Sequence, residues 1–174
     1  TRAAEQPNAP AGVRVKGFSF SGNTVISRAE LEALTQPYVE QALTLPDLER
    51  IAAAVADLYK QRGYTLASAY IPQQRIRFEM VEISVLEGRL GDISVSGNRF
   101  YSTEFIRSGF AGVMEARVIR NTDLERALLL LNDYPDLKVS AALEPGEFTG
   151  STNVQASVED KRPIHATLDY NNYG

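Results

Sequence analysis

The chain holds little material for covalent or acid–base chemistry. Of its 174 residues one is histidine and none is cysteine. His165 has no second imidazole with which to share a metal and no thiol to activate. Zinc sites are built from three or four nitrogen, sulfur and carboxylate ligands, so no metal site is expected. Glu30 and Glu32 lie two apart in "SRAELEALT" and read as a solvated helix surface, not an acid–base pair. "GRLGDISVSGN" (Gly88–Asn98) sets glycines beside a strand, but it has neither GxGxxG nor P-loop spacing. It reads as a linker turn, with no cofactor implied. The sequence therefore points away from an enzyme. What remains is hydrogen bonding by exposed backbone. In "YTLASAYIP" (Tyr64–Pro72) the small residues Ala67, Ser68 and Ala69 sit between aromatic ones, where another backbone can approach closely.

Composition narrows the class of partner. A net charge of −4 argues against nucleic acid, whose phosphates call for a basic face. An apolar content of 44% suffices for packed cores. The lack of cysteine suits the periplasm and the cytosol alike. No apolar run approaches the length of a membrane-spanning helix, and no secretory signal opens the chain. Residues 1–12 begin with "TRAAEQPNAP", polar and holding two prolines, and read as a linker to something upstream.

The elements that position "LASAYI" follow from periodicity. "VRVKGFSF" (Val13–Phe20) alternates as a strand, with a phase slip at Gly17 that predicts a bulge. "SGN" closes it. Ser27–Thr35 opens with a capping-box pattern, Ser27 with Glu30, and Pro37 stops or bends that helix. Pro46–Arg62 places Leu48, Ile51, Ala52, Val55, Leu58 and Tyr59 on one helical face. Tyr64–Ile71 is expected to be a strand, as is Phe78–Leu86, with "QQRIR" turning between them. Arg75 and Arg77 read as solvated turn residues. If the last strand is central, Leu66–Ile71 is an edge. An extended polypeptide can add itself there as a further strand, with Tyr59, Tyr64 and Tyr70 offering aromatic contact beside a groove along the long helix.

This unit occurs twice. "DLER" recurs at Asp47–Arg50 and Asp123–Arg126. Ser21-Gly22-Asn23 returns as Ser96-Gly97-Asn98, and "ISVLEGRLGDISV" resembles "ASVEDKRPIHATL". The offsets drift by only a few residues, as loops permit, so a tandem repeat is read. The second copy predicts strands at Asp92–Val95, Leu137–Leu143 and Asn153–Val158. Its helices are predicted at Ser102–Phe110 and Thr122–Tyr134, the latter capped by Thr122 with Glu125. Each unit is strand–helix–helix–strand–strand, an α+β fold with helices on one face of a three-stranded mixed sheet. "LKVSAALEPG" is a second candidate edge. "PIHATLDYNNYG" alternates again but belongs to neither unit.

A strand–helix–helix–strand–strand unit with "SGN" after the first strand and "EG" after the last resembles a POTRA domain (polypeptide-transport-associated). "YIPQQRIRFEMVEISVLEG" is similar to the signature of the first POTRA in two-partner secretion transporters of the haemolysin secretion/activation class. The resemblance implies two tandem POTRA domains, residues 13–88 and 89–160. It also implies that residues 161–174 open the first strand of an outer-membrane β-barrel, with residues 1–12 as the linker from a plug helix. It implies a periplasmic, non-enzymatic role in protein transport. An unfolded secreted exoprotein, expected to be large and β-helical, would be captured by strand addition and groove contacts. It would then pass to the chain's own C-terminal barrel, with weak, reversible binding. No cofactor, nucleic acid or small-molecule substrate is implied. The partner-binding residues on this reading are Tyr59, Tyr64, Leu66, Ala67, Ser68, Ala69, Tyr70 and Ile71. The alternative is a scaffold module of an outer-membrane assembly factor that docks accessory subunits. Such factors carry more POTRA copies.

Overall fold

The computed structural model describes residues 12–74 and 78–162. The tail carrying His165, the segment before Gly12, and Arg75 and Arg77 lie outside the described residues. The chain forms two compact units. The first runs to Arg89 and also takes in Val118–Asn121; the second holds Leu90–Arg117 and continues from Thr122.

In the first unit the strand read as Val13–Phe20 is two strands, β1 (Val13–Val15) and β2 (Gly17–Ser21). The phase slip at Gly17 is not a bulge within one ladder: it is where the chain leaves one sheet for another. β1 pairs antiparallel with β3 (Gln41–Leu43), which periodicity missed because three residues are too few to show a period. Between them lies α1 (Arg28–Thr35), capped by Ser27, whose side chain accepts the Glu30 N–H. Pro37 sits in a 3-10 turn at Gln36–Tyr38 that ends it. α2 (Leu45–Gln61) starts slightly earlier than expected, because Thr44 and Asp47 form the capping box.

The sheet that matters for function has the order β2, β5 (Met80–Leu86), β4 (Ser68–Tyr70). β2 runs parallel to β5 and β4 antiparallel to it, so the last strand is central. Alternation on β5 explains the single layer. Val81, Ile83 and Val85 are buried with Phe18, Leu31, Ile51, Val55 and Tyr59 in one core, and each fully buried aliphatic side chain contributes about 1.5–3 kcal/mol. The opposite face carries half-buried Ser19, Ser21, Glu82, Ser84 and Leu86, with exposed Ser68 and Tyr70, and among the described residues no helix covers it.

The second unit repeats the plan. β6 (Arg89–Ser96), β8 (Ser151–Asp160) and β7 (Leu137–Pro145) make a sheet with β8 central. α3 (Thr103–Gly109) is capped by Ser102. α4 (Ala111–Ala116), with no side-chain cap to announce it, lies between the two helices expected at Ser102–Phe110 and Thr122–Tyr134. α5 (Asn121–Asn132) begins one residue before the expected Thr122 cap, which lies inside its first turn, a boundary shift of the usual size. Leu124, Ala127 and Leu131 are buried and Leu128 is half-buried.

Candidate strand-addition edge

β4 is shorter than the strand expected at Tyr64–Ile71. Gly63 adopts φ +87° as α2 ends. The Tyr64 N–H then turns back to Tyr59 O at 3.0 Å, and the Ala67 N–H to Tyr64 O at 3.1 Å. These bonds hold residues 64–67 in turns, so extended pairing begins only at Ser68.

Three of the eight expected contact residues are withdrawn from the surface. Tyr59 is 0% exposed and donates its hydroxyl to Glu87 at 2.9 Å. Tyr64 is 8% exposed and packs edge-on against Tyr59. The Arg120 guanidinium lies over the Tyr64 ring and donates to its hydroxyl at 2.7 Å. Neither tyrosine can offer aromatic contact to a partner without the core opening. Ala67 is also buried, at 4% exposure. The other five do form a surface strip: Leu66, Ala69 and Ile71 are half-buried, while Ser68 and Tyr70 are exposed. Ala69 and Ile71 pack toward the core.

The backbone directions of β4 follow from two contacts on β5. A Cβ placed on Gly22 would lie 2.2 Å from Val85 O, so the Val85 carbonyl points toward the β2 side. The Glu82 N–H and carbonyl both bond the side-chain amide of Gln74, at 2.8 and 2.9 Å, on the opposite side. In an antiparallel ladder successive residues alternate between bonding the partner and pointing away from it. Ser68 and Tyr70, opposite Leu86 and Ser84, therefore bond β5. Ala69, opposite Val85, directs its N–H and carbonyl outward. Among the described residues no side chain is bonded to the backbone of Ala69 or Ile71, and β5 is the only strand on β4.

Gln74 was not foreseen as a site residue. Continuing the register of β4 sets Pro72 opposite Glu82, and proline has no N–H to give it. The Gln74 amide supplies both the donor and the acceptor that a strand residue would have supplied. The second glutamine of "PQQ" thus keeps β5 satisfied just past the end of β4 at Tyr70. A proline on the bonding parity followed two residues later by an amide side chain was the signal available in the sequence.

Glu87 was likewise read only as the end of a strand. It is 2% exposed, and its carboxylate accepts from Val25 N–H and Tyr59 O–H at 2.9 Å and from the Thr24 N–H and hydroxyl. Burial pushes its pKa up, but these hydrogen bonds outweigh burial and hold it below the ordinary glutamate value. In the second unit Asp160 accepts the N–H groups of Arg99, Phe100 and Tyr101 at 2.6–3.0 Å. Each carboxylate ties the end of a last strand to the turn after "SGN".

Known proteins share this sequence pattern and fold. The family model for ShlB-type POTRA domains matches residues 13–88. The heme/hemopexin transporter HuxB of Haemophilus influenzae is 26% identical over 153 residues, which is 87% of this chain and 27% of the relative. The outer membrane transporter CdiB of Escherichia coli is 28% identical over 160 residues, 92% of this chain and 27% of the relative. The solved structure of CdiB from Escherichia coli superposes with a TM-score of 0.76 at 25% identity, over 98% of this chain and 30% of that one. The chain thus spans under a third of these relatives, all of them transporters. Residues 13–88 match the ShlB-type POTRA domain family, and the chain is similar over most of its length to outer-membrane transporters of two-partner secretion.

Proposed function

We propose that the first unit captures an unfolded secreted protein by adding one of its extended segments to β4, and that the segment then passes to the β-barrel of the same transporter. The observation that carries this reading is the outward direction of the Ala69 backbone on a strand bonded from one side only. An unfolded client brings its own unpaired N–H and C=O groups, and main-chain pairing accepts almost any sequence. Side chains of Ala69 and Ile71 flank the added strand on the helix side, and Tyr70 on the open side. A three-residue strand gives few ladder bonds, each contributing about 0.5–1.5 kcal/mol net, so binding is weak and release is easy. No step of this role is catalytic.

Two proline substitutions test the reading. Ala69→Pro removes an N–H that points to solvent, which an edge strand tolerates. Ser68→Pro removes one that bonds β5 and should destabilise the sheet. The probe is the unfolded N-terminal region of the secreted protein encoded beside the transporter, titrated into the chain and followed by backbone NMR. The expected result is shifts along Leu66–Ile71 that disappear in Ala69→Pro while the rest of the spectrum is kept. Shifts confined to the helices of the second unit would favour docking of accessory subunits. Undiminished binding by Ala69→Pro would sink strand addition at this edge.

A further inference from the structure

The two units present equivalent edges, but they differ at one matched position. The repeat alignment makes this comparison residue by residue. Val85 and Val158 correspond across "ISVLEG" and "ASVEDK". Val85 lies opposite Ala69 and Val158 opposite Val139, so Val139 on β7 is the counterpart of Ala69 on β4. A Cβ placed on Gly97 would sit 2.4 Å from Val158 O, as one on Gly22 would meet Val85 O. The backbone of Val139 therefore also points away from its sheet.

In the second unit that position is occupied. Asn132, the last residue of α5, donates from Nδ2 to Val139 O at 2.9 Å, and its Oδ1 accepts the Val139 N–H at 2.8 Å. One side-chain amide makes both bonds that an added strand would make to Val139. Its Nδ2 also donates to Leu128 O at 2.8 Å, which anchors the amide to its own helix. Counting from the shared "DLER", the counterpart of Asn132 in α2 is Ala56. A methyl group can make none of these bonds, and Ala56 is itself buried at 8% exposure.

We propose that Asn132 closes the β7 edge by imitating a client strand, so that client pairing is directed to β4 of the first unit. This rests on strand addition as the mode of capture and adds a determinant of where it occurs. Closure is local. Beyond Val139 the strand continues through Ala141 and Leu143, paired with Ala156 and Val154, and among the described residues no side chain is bonded to the backbone of either. A strand seeking the second unit must start there or displace the amide.

The test compares the intact chain with Asn132→Ala and Asn132→Asp by amide hydrogen exchange and by NMR titration. The titrant is a short peptide of alternating threonine and valine flanked by lysines. Exchange needs no ligand: the Val139 N–H should exchange about tenfold faster in Asn132→Ala, the loss of one hydrogen bond. It should stay protected in Asn132→Asp, which keeps the acceptor. On titration, Asn132→Ala should gain shifts at Val139 and Ala141 that the parent chain lacks, with shifts on β4 unchanged. Peptide shifts at Val139 in the parent chain would overturn the proposal. So would an Asn132→Ala variant that keeps its fold and gains none. Absence of shifts on β4 in every variant, with new ones on β7 in Asn132→Ala, would instead remove the capture reading for the first unit and leave the closure by Asn132 standing. If Asn132→Ala proves poorly folded, Asn132→Asp carries the test: its lone carboxylate cannot donate to Val139 O, so β7 shifts at reduced amplitude are expected and their absence overturns the proposal.

Discussion

The Tyr59 hydroxyl donates to the Glu87 carboxylate at 2.9 Å inside the first unit. This bond helps hold a tyrosine on the core face of the long helix away from the surface. Glu87 is nearly inaccessible to water and has lost most of its hydration. Tyr59, Thr24 and Val25 replace it with four hydrogen bonds, one of them from the Tyr59 hydroxyl.

Replacing the carboxylate should therefore cost stability and change its pH dependence. Glu87→Gln puts an N–H group among donors, and the expected loss is about 1–3 kcal/mol. The Glu87 pKa is lower in the folded state than in the unfolded one. Its contribution is thus complete above the ordinary glutamate value and is lost as pH falls through the lowered folded value. Urea melts from neutral to acid pH should show a steeper acid decline for the parent chain than for Glu87→Gln. Parallel profiles would mean that the carboxylate is not the group that titrates.

Tyr59 should be silent in an alkaline titration. Burial, then the hydrogen bond to Glu87 and its negative charge, raise its pKa well above the ordinary tyrosine value. Folding favours the neutral phenol. Stability from this group is present below the unfolded tyrosine pKa of about 10 and declines as pH rises beyond it. Ultraviolet titration of the chain of eight tyrosines should show one fewer ionising before unfolding in the parent than in Tyr59→Phe corrected for its missing residue. Equal counts after unfolding are the control.

The two "SGN" glycines carry equal weight in their units. Gly22 has φ +81° and Gly97 φ +87°. An added Cβ would meet Val85 O or Val158 O at 2.2 or 2.4 Å. Left-handed backbone alone costs a residue with a Cβ about 1–2 kcal/mol, and here the obstacle is backbone that cannot swing aside. Gly22→Ala and Gly97→Ala should each cost about 2 kcal/mol or more, read from denaturant midpoints. A neutral effect at either site would show that the turn can rearrange.

Much of this was legible because one local device was written twice. Ser27 and Ser102 each cap a helix. Asn23 and Asn98 each donate to a backbone carbonyl three residues on. Glu87 and Asp160 stand at equivalent ends of central strands. A repeat in sequence became a repeat in hydrogen bonding, so the main elements of the second unit could be read from the first, while the central place of the last strand came from the structure. Three-residue strands such as β3 and the uncapped α4 carried no period or cap to reveal them. The burial of Tyr59 was missed for a different reason. Its spacing gave the core side, which the helical count had itself shown, but its aromatic ring suggested contact. The roles of Gln74 and Asn132 were hidden because a side-chain amide standing in for backbone leaves no periodic trace.

Gln74 provides the last prediction. Its amide bonds both backbone groups of Glu82, where Pro72 would stand if the β4 register ran on, and so ties the chain that follows β4 to β5. Gln74→Ala should expose the Glu82 amide to exchange and cost about 1–2 kcal/mol. It should also weaken client binding severalfold, because an edge that frays at Ile71 offers fewer ladder bonds. A general loss of stability would weaken binding too, so the distinguishing measurement is rescue. Pro72→Ala in the Gln74→Ala background restores a backbone N–H opposite Glu82. Return of both Glu82 protection and client affinity is expected if Gln74 acts as a substitute strand residue. Stability recovered without affinity would mean that Gln74 touches the client itself. Affinity that never fell in Gln74→Ala would place the binding edge wholly within Ser68–Tyr70.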